Sequence, residues 1–335
     1  MPHDSEKPSS TDFPEISENE AEILTAIVPD SAAGKRLDQA LGQLFEQYSR
    51  SRLQQWIKSG RVEVEGEQRK AKEKVYIGES IVMKVEADVE VVWTPEEMPL
   101  DIVYEDDDIL VVNKPVGLVV HPAPGHASGT LCNGLLHHVA NAVNLPRAGV
   151  VHRLDKDTSG IMVVAKTLSA HCSLVESLQA REISREYIAL VLGEVTAGGT
   201  VDEPMGRHKV DRKRMAVLGD LDSAGKHAVT HYRIRKRYHA YTLLDVKLDT
   251  GRTHQIRVHM AYINFPIVGD PVYGGRMRTP KNCSENLRNA IQNFKRQALH
   301  AFQLTLTHPV TKEEMSWQVP LADDIEQLLS NLEEK

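Results

Sequence analysis

Cysteine is scarce in this sequence. Cys132, Cys172 and Cys283 are widely spaced and form no C-x-x-C pair, which excludes a disulfide framework and a paired-thiol zinc site. A reducing, cytoplasmic compartment is expected. No apolar run approaches the length of a membrane span, and the N-terminus lacks the basic-then-apolar pattern of a secretory signal. Neither a glycine-rich phosphate loop nor a dinucleotide fingerprint occurs, and no internal repeat is evident. Aromatic residues make up only 5% of the chain, so any stacking on a nucleobase must rest on a few positions. The remainder is ordinary: 335 residues, 41% hydrophobic and 26% charged, suffice for one large domain and one small.

A formal net charge of −7 argues at first against nucleic acid, but the charge is unevenly spread. Residues 1–22 carry seven acids against Lys7, and residues 323–335 carry five against Lys335, so the body between them is net positive. Within it, residues 207–257 hold 13 Lys and Arg against 5 Asp. A basic band on a body with acidic ends is the footprint of a phosphate-backbone binder, although a solvated charged face would give the same count.

Order is expected from residue 23, after an acidic stretch, residues 1–22, that reads as a disordered tail. Leu37, Ala40, Leu41, Leu44 and Phe45 recur at helical spacing. A second short helix follows, capped by Ser49 or Ser51, with Leu53, Trp56 and Ile57 inward and Gly60 ending it. Val62 and Val64 alternate with charged residues, Glu65-Gly66 makes a turn, and residues 75–85 supply further strand. Arg36, Arg50, Arg52, Lys58, Arg61, Arg69 and Lys70 surround this small apolar set. The stretches Gly34-Lys35-Arg36-Leu37-Asp38, Ser49-Arg50-Ser51-Arg52 and Ile57-Lys58-Ser59-Gly60-Arg61-Val62-Glu63-Val64-Glu65-Gly66 resemble an S4 RNA-binding domain over residues 23–86. That likeness implies two short helices presenting Arg and Lys to the phosphates of structured RNA.

Residues 87–98, acidic and ending Thr94-Pro95-Glu96-Glu97-Met98 just before Pro99, read as a linker. Residues 99–335 then form a larger domain. Strand runs are predicted at 102–104, 109–112, 118–120, 161–164, 185–192, 229–234 and 241–248. Helical runs are predicted at 130–143 and 169–180, and Ile325, Leu328, Leu329 and Leu332 make a short amphipathic C-terminal helix. Antiparallel-looking strands with helices on their flanks give an α+β pattern.

The chemically densest stretch is Val150-Val151-His152-Arg153-Leu154-Asp155-Lys156-Asp157-Thr158-Ser159-Gly160-Ile161, a polar loop between two apolar runs. Strand-held loops fix catalytic groups, though Asp157, Thr158, Ser159 and Gly160 also suit an ordinary charged turn. A carboxylate acting as nucleophile must stay ionised at a fixed place, which needs a guanidinium beside it to offset desolvation. Arg257 is a candidate: Thr253 can cap a helix whose inward stripe is Ile256, Met260 and Ile263, with Arg257 beside that stripe. Spacing alone makes Arg257 a surface salt-bridge former. Tyr187, on a strand, can stack on a base and pass a proton, or be an ordinary half-buried strand tyrosine. Arg153 can fill the stack that a flipped nucleotide vacates. His121, His126, His137, His138 and His152 cluster in sequence, but without ligand spacing no zinc site is expected. Asp155 and Asp157, two apart in one loop, are ill placed to flank a bond as paired glycosidase carboxylates do.

Taken together, His152-Arg153-Leu154-Asp155-Lys156-Asp157-Thr158-Ser159-Gly160, Arg185-Glu186-Tyr187 and Gly251-Arg252-Thr253-His254-Gln255-Ile256-Arg257-Val258-His259 resemble the RluA-type pseudouridine synthases. Asn113-Lys114-Pro115-Val116-Gly117-Leu118 and Gly269-Asp270-Pro271-Val272-Tyr273-Gly274-Gly275 match too, and the likeness runs from about residue 34 to about residue 320. The resemblance implies a mixed, mainly antiparallel sheet with flanking helices, a central cleft, no cofactor, and conversion of uridine in RNA to its carbon-linked isomer. Carried over by position, it implies Asp155 as nucleophile, Tyr187 against the target base, Arg257 paired with Asp155, and Arg153 helping the base to flip. His152, Arg252, His254, Gln255, Lys213 and Arg214 join Arg36, Arg50, Arg52, Lys58 and Arg61 as expected RNA contacts. Within the family the likeness is greatest to members acting on the large ribosomal subunit. It therefore implies 23S rRNA, at the loop uridines of helix 69, free or in a pre-50S particle, as the partner of a monomeric, membrane-free enzyme. The sequence also admits an inactive S4-type rRNA-binding or ribosome-assembly factor, or a glycosylase that releases free uracil.

Overall fold

A computed structural model of the chain describes residues 22–45, 48, 50–85, 94–122, 128–211, 214–219, 225–275, 279 and 283–333, apart from the side chains of Glu22, Arg50 and Ser51. The expected tail up to residue 21, the linker up to residue 93, Ser49, His126, Lys213 and the side chain of Arg50 therefore lie outside the described residues. Glu22, expected to close the tail, already belongs to a strand. The chain divides into two compact units, Met1–Val92 and Trp93–Lys335.

The first unit contains β1 (Glu22–Ile27), α1 (Leu37–Leu44), α2 (Arg50–Lys58), β2 (Val62–Val64), β3 (Glu67–Gln68) and β4 (Ser80–Val85). Its strands pair antiparallel in the order β1-β4-β2-β3. Leu37, Ala40 and Leu41 of α1 and Leu53, Trp56 and Ile57 of α2 are buried against Val62, Val64, Ile81 and Met83. This is the packing that their 3.6-residue spacing dictates. Residues 75–79 are not strand, contrary to their apolar appearance. The Val75 N–H donates to the Lys35 carbonyl and that of Gly78 to the Val28 carbonyl, so the segment closes turns on earlier loops.

The second unit runs through β5 (Ile102–Glu105), β6 (Ile109–Lys114), α3 (Leu131–His138), β7 (Ser159–Ala165), α4 (Leu168–Ala180), β8 (Ser184–Leu192), β9 (Gly199–Asp202), β10 (Met205–Arg207) and β11 (Met215–Val217). It continues with β12 (Val229–Tyr238), β13 (Tyr241–Leu248), α5 (Gln255–Tyr262), α6 (Glu285–Asn293), β14 (Leu299–Thr307), β15 (Glu314–Gln318) and α7 (Asp323–Glu333). Among the described residues, nine strands form one sheet in the order β5-β6-β7-β14-β8-β13-β12-β9, with β15 on β14, and β10 and β11 form a separate hairpin. The β7–β14 pair is parallel and the other pairs antiparallel, so the sheet is mixed and mainly antiparallel. All seven residues of β7 are buried, as a strand covered on both faces requires.

Two predicted elements differ. Residues 118–120 form no strand, because their carbonyls serve other partners: Leu118 accepts from the Lys114 ammonium, and Val119 and Val120 accept from the first N–H groups of α3. The helix predicted over 130–143 ends at His138, where Val139 leaves helical dihedrals and turns its side chain into the core.

The loop between residues 155 and 160 is fixed at each step. The Thr158 N–H donates to the Asp155 carbonyl, the Lys156 carbonyl accepts from the buried Lys114 ammonium at 3.0 Å, and the Asp157 carbonyl accepts from Arg296 at 3.1 Å. Gln297 donates to the Thr158 hydroxyl at 2.9 Å, and the Ser159 hydroxyl lies 2.9 Å from His300 Nδ1. Gly160 closes the clamp with φ +115°; a Cβ there would lie 2.1 Å from the Ala301 carbonyl oxygen. Gly160→Ala is therefore expected to cost roughly 3 kcal/mol in urea unfolding, whereas an unchanged midpoint would show that β7 and β14 separate freely at this point.

Candidate active site

The strand order brings three distant segments together. Asp155 stands at the loop entering β7, Tyr187 lies on β8, and Arg257 is on α5, just after β13. β8 pairs with β14 on one side and β13 on the other, with Tyr187 opposite Ala301 and Val246. Helix α5 is stapled to the sheet by Gln255. Its carbonyl oxygen accepts from the Thr250 hydroxyl at 2.7 Å and the Arg252 N–H at 3.0 Å, and its amide donates to the Val229 carbonyl and the Thr230 hydroxyl. Gln255 is thus a buried structural strut, not a surface contact. The helix is preceded by His254 in the left-handed region, φ 58°, and no side chain caps it; Thr253 is not the cap.

Arg257 is buried, contrary to the surface position that its spacing suggests. Its Nη1 donates to Asp155 Oδ2 at 2.9 Å. Its Nε and Nη2 clasp Asp270 at 2.7 and 2.9 Å, and Asp270 is itself anchored by the N–H groups of Val272 and Tyr273. Burial works against the Arg257 cation, but the two carboxylates outweigh it and raise its pKa above the ordinary guanidinium value. Burial likewise opposes the Asp270 anion, and Arg257 more than compensates, holding that carboxyl below its usual range. Nothing in the sequence spacing singled out Asp270, although it lies in a quoted motif.

A cavity of about 550 Å³ opens over this ion pair. Arg147, Arg153, Arg181, Arg185, Arg252 and Arg257 line it, against the acids Asp155 and Asp249. Four of these six guanidiniums come from residues 147–185, outside the basic band noted in the sequence. Arg185 is buried, and its Nε has no hydrogen-bond partner among the described residues, as a group awaiting an anionic ligand would be. Tyr187 forms part of the cavity wall, and burial pushes its phenol above the ordinary value, so it stays neutral. Arg214 reaches the site indirectly, its guanidinium 5.3 Å from the Tyr273 ring centroid.

The first unit holds the other expected contacts. Arg36 is exposed but bonds Asp38 through two nitrogens, and the Arg52 guanidinium lies 5.0 Å from the Trp56 ring centroid. Lys58 is exposed and Arg61 half-buried. Among the described residues, Asp106, Asp108 and His308 come close enough to share a metal ion. Asp106 already accepts from Tyr104, His308 and the N–H groups of Asp108 and Ile109, so it serves to lock a turn.

His152 sits in the cavity wall with Nε2 accepting from the Val163 N–H at 3.1 Å. Burial, with help from Arg185, lowers its pKa to about 3, so this imidazole is neutral and offers no charge to a phosphate. The unfolded chain binds a proton near 6.5, so the stability that His152 contributes is full above that pH and is lost as pH falls from 6.5 towards 3. His152→Gln should remove up to about 2 kcal/mol from the acid-side loss of stability measured by urea titration across pH; an unchanged acid slope would contradict this assignment.

A family model described as RNA pseudouridylate synthase matches residues 108–262, and one described as S4 domain matches residues 35–81. The chain is 54% identical over 307 residues to the ribosomal large subunit pseudouridine synthase D of Pseudomonas aeruginosa, covering 92% of this chain and 95% of that protein. It is 53% identical over 310 residues to the protein of the same name from Yersinia pestis, covering 92% and 94%. A solved structure of human RNA pseudouridylate synthase domain containing 4 superposes with a TM-score of 0.54 at 26% identity, covering 69% of this chain and 92% of that one.

Proposed function

The chain belongs to the RNA pseudouridylate synthase family, and from that premise we propose that it isomerises uridines of 23S rRNA, at the helix 69 loop, with Asp155 as nucleophile. The enzyme is an isomerase: the bond between N1 of uracil and the sugar breaks, the base turns, and C5 takes the place of N1. The ring gives up the proton on C5 and gains one on N1, so no water is consumed. The relatives' names support the large-subunit substrate.

The observation that carries the reading is the Asp155–Arg257 contact of 2.9 Å at the base of an arginine-lined cavity. A flipped uridine entering there meets Tyr187 against its ring, while Arg153, exposed at the rim, neutralises its phosphate and holds the vacated stack open. Arg252 adds a second exposed cation, and Lys213 and Arg214, adjacent in the sequence, are proposed as further phosphate contacts. Residues 23–86 supply affinity for structured RNA through Arg36, Arg50, Arg52, Lys58 and Arg61, joined by the linker 87–98 to a catalytic domain over 99–335. No cofactor takes part, and the protein acts as a cytoplasmic monomer.

Asp155→Asn separates this reading from its competitors. Pseudouridine formation on a helix 69 transcript should fall by about 10⁴-fold or more, with RNA affinity held within about threefold. Unchanged modification would remove Asp155 from the chemistry, and free uracil released by the wild type would indicate a glycosylase.

A further inference from the structure

Tyr273 occupies a junction that the proposed chemistry leaves unused. Its ring is buried, with the Arg257 guanidinium 5.1 Å and the Arg214 guanidinium 5.3 Å from its centroid. Its hydroxyl oxygen accepts from the Met215 N–H, at the start of β11, at 2.9 Å, and lies 2.9 Å from His254 Nδ1. On the far side of that imidazole, Nε2 faces Asp155 Oδ1 at 3.8 Å, while Arg257 holds Oδ2.

Hydrogen-bond bookkeeping chooses between the two neutral tautomers of His254. If Nδ1 carried the proton, two N–H groups would converge on the phenol oxygen and the Nε2 lone pair would face a carboxylate. With the proton on Nε2, the Tyr273 O–H donates to Nδ1, the Met215 N–H donates to the phenol oxygen, and Nε2–H is directed at Asp155. The groups around the ring are Asp155, Arg257, Asp270 and Arg153; burial and the two arginines hold its pKa below the ordinary value, so the tautomer question is the relevant one.

We propose that Tyr273 is a positioning residue for the isomerisation: through one hydroxyl it couples the β10–β11 hairpin to the catalytic carboxylate by fixing His254 as the Nε2–H donor. His254 then presents a proton to the Asp155 oxygen that Arg257 does not hold. A donor at that point also steadies the negative charge that uracil takes on when its bond to the sugar breaks with the electron pair remaining on the ring. Any shift of Met215 loosens the phenol and, through it, the imidazole. Arg214, next to Met215, also places its guanidinium 5.3 Å from the ring centroid, so the hairpin is joined to the nucleophile through one aromatic side chain. This inference rests on Asp155 being that nucleophile.

Tyr273→Phe removes only the hydroxyl and keeps the ring beside the two arginines. With ¹⁵N-labelled histidine, long-range proton–nitrogen spectra of the wild type should show His254 protonated at Nε2, and Tyr273→Phe should show mixed tautomers. The turnover number on the helix 69 transcript should drop by about 10- to 100-fold with KM within about twofold, the size of effect that an imidazole's outer partner carries. Should Tyr273→Phe fail to fold, the wild-type spectrum still decides the tautomer. His254→Asn, which tolerates the left-handed backbone there, should then lose turnover to a similar extent. In the double variant the losses should not add, since both residues act through one chain of bonds. A wild-type His254 protonated at Nδ1, an unaltered tautomer and turnover in Tyr273→Phe, or additive losses would overturn the proposal. An active Asp155→Asn would instead sink the assignment of the nucleophile and leave the tautomer measurement intact.

Discussion

Arg257 is shared between two carboxylates, and the rest of the site is arranged around that sharing. A buried ion pair gains little unless its geometry is good and its remaining donors are used, because two charges must leave water. Here Asp270 takes Nε and Nη2, the backbone of Val272 and Tyr273 holds Asp270, and Nη1 is left to point at Asp155. A lysine could not divide itself this way: a point charge on a flexible stem has no fixed fork to hold two acids at set angles. The outcome is a half-exposed carboxylate whose direction is set by a buried cation, beside a cavity rich in guanidiniums.

The second constraint is the loop that carries Asp155. Its carbonyls and hydroxyls are taken up by Lys114, Arg296, Gln297 and His300, all of them buried. Lys114 is buried, and that burial lowers its pKa to about 8 in spite of Asp157 and Asp155. Its three carbonyl bonds, to Pro115, Leu118 and Lys156, join the end of β6 to the Asp155 loop. A loop fixed in this way holds its carboxylate without relying on substrate, which is what pre-organisation means in physical terms.

Much of this was legible from residue order. The helices of the first unit follow from the spacing of Leu37, Leu41, Leu53 and Ile57, and β7, β8 and β13 from their apolar runs. Asp155, Tyr187 and Arg257 come from the motifs and lie together in the structure. What stayed hidden depends on partners far along the chain. Arg257 looks like a surface residue until Asp270 is seen to neutralise it, and residues 118–120 look like a strand until Lys114 and α3 claim their carbonyls. His152 and Gln255 resemble polar contacts for RNA, yet one is a neutral acceptor for Val163 and the other a strut inside the fold. No periodicity could reveal that Tyr273 touches both the hairpin and the residue that opens α5, because those segments meet only after folding.

The most direct test of the shared guanidinium is the single-turnover rate of pseudouridine formation by Arg257→Lys with Asp155 intact. Lysine keeps the positive charge but cannot hold both acids, so the account predicts a rate lower by about 10²-fold or more with unchanged RNA affinity. A rate within twofold of the wild type would show that charge alone suffices and that the fork between Asp155 and Asp270 is not what the site depends on.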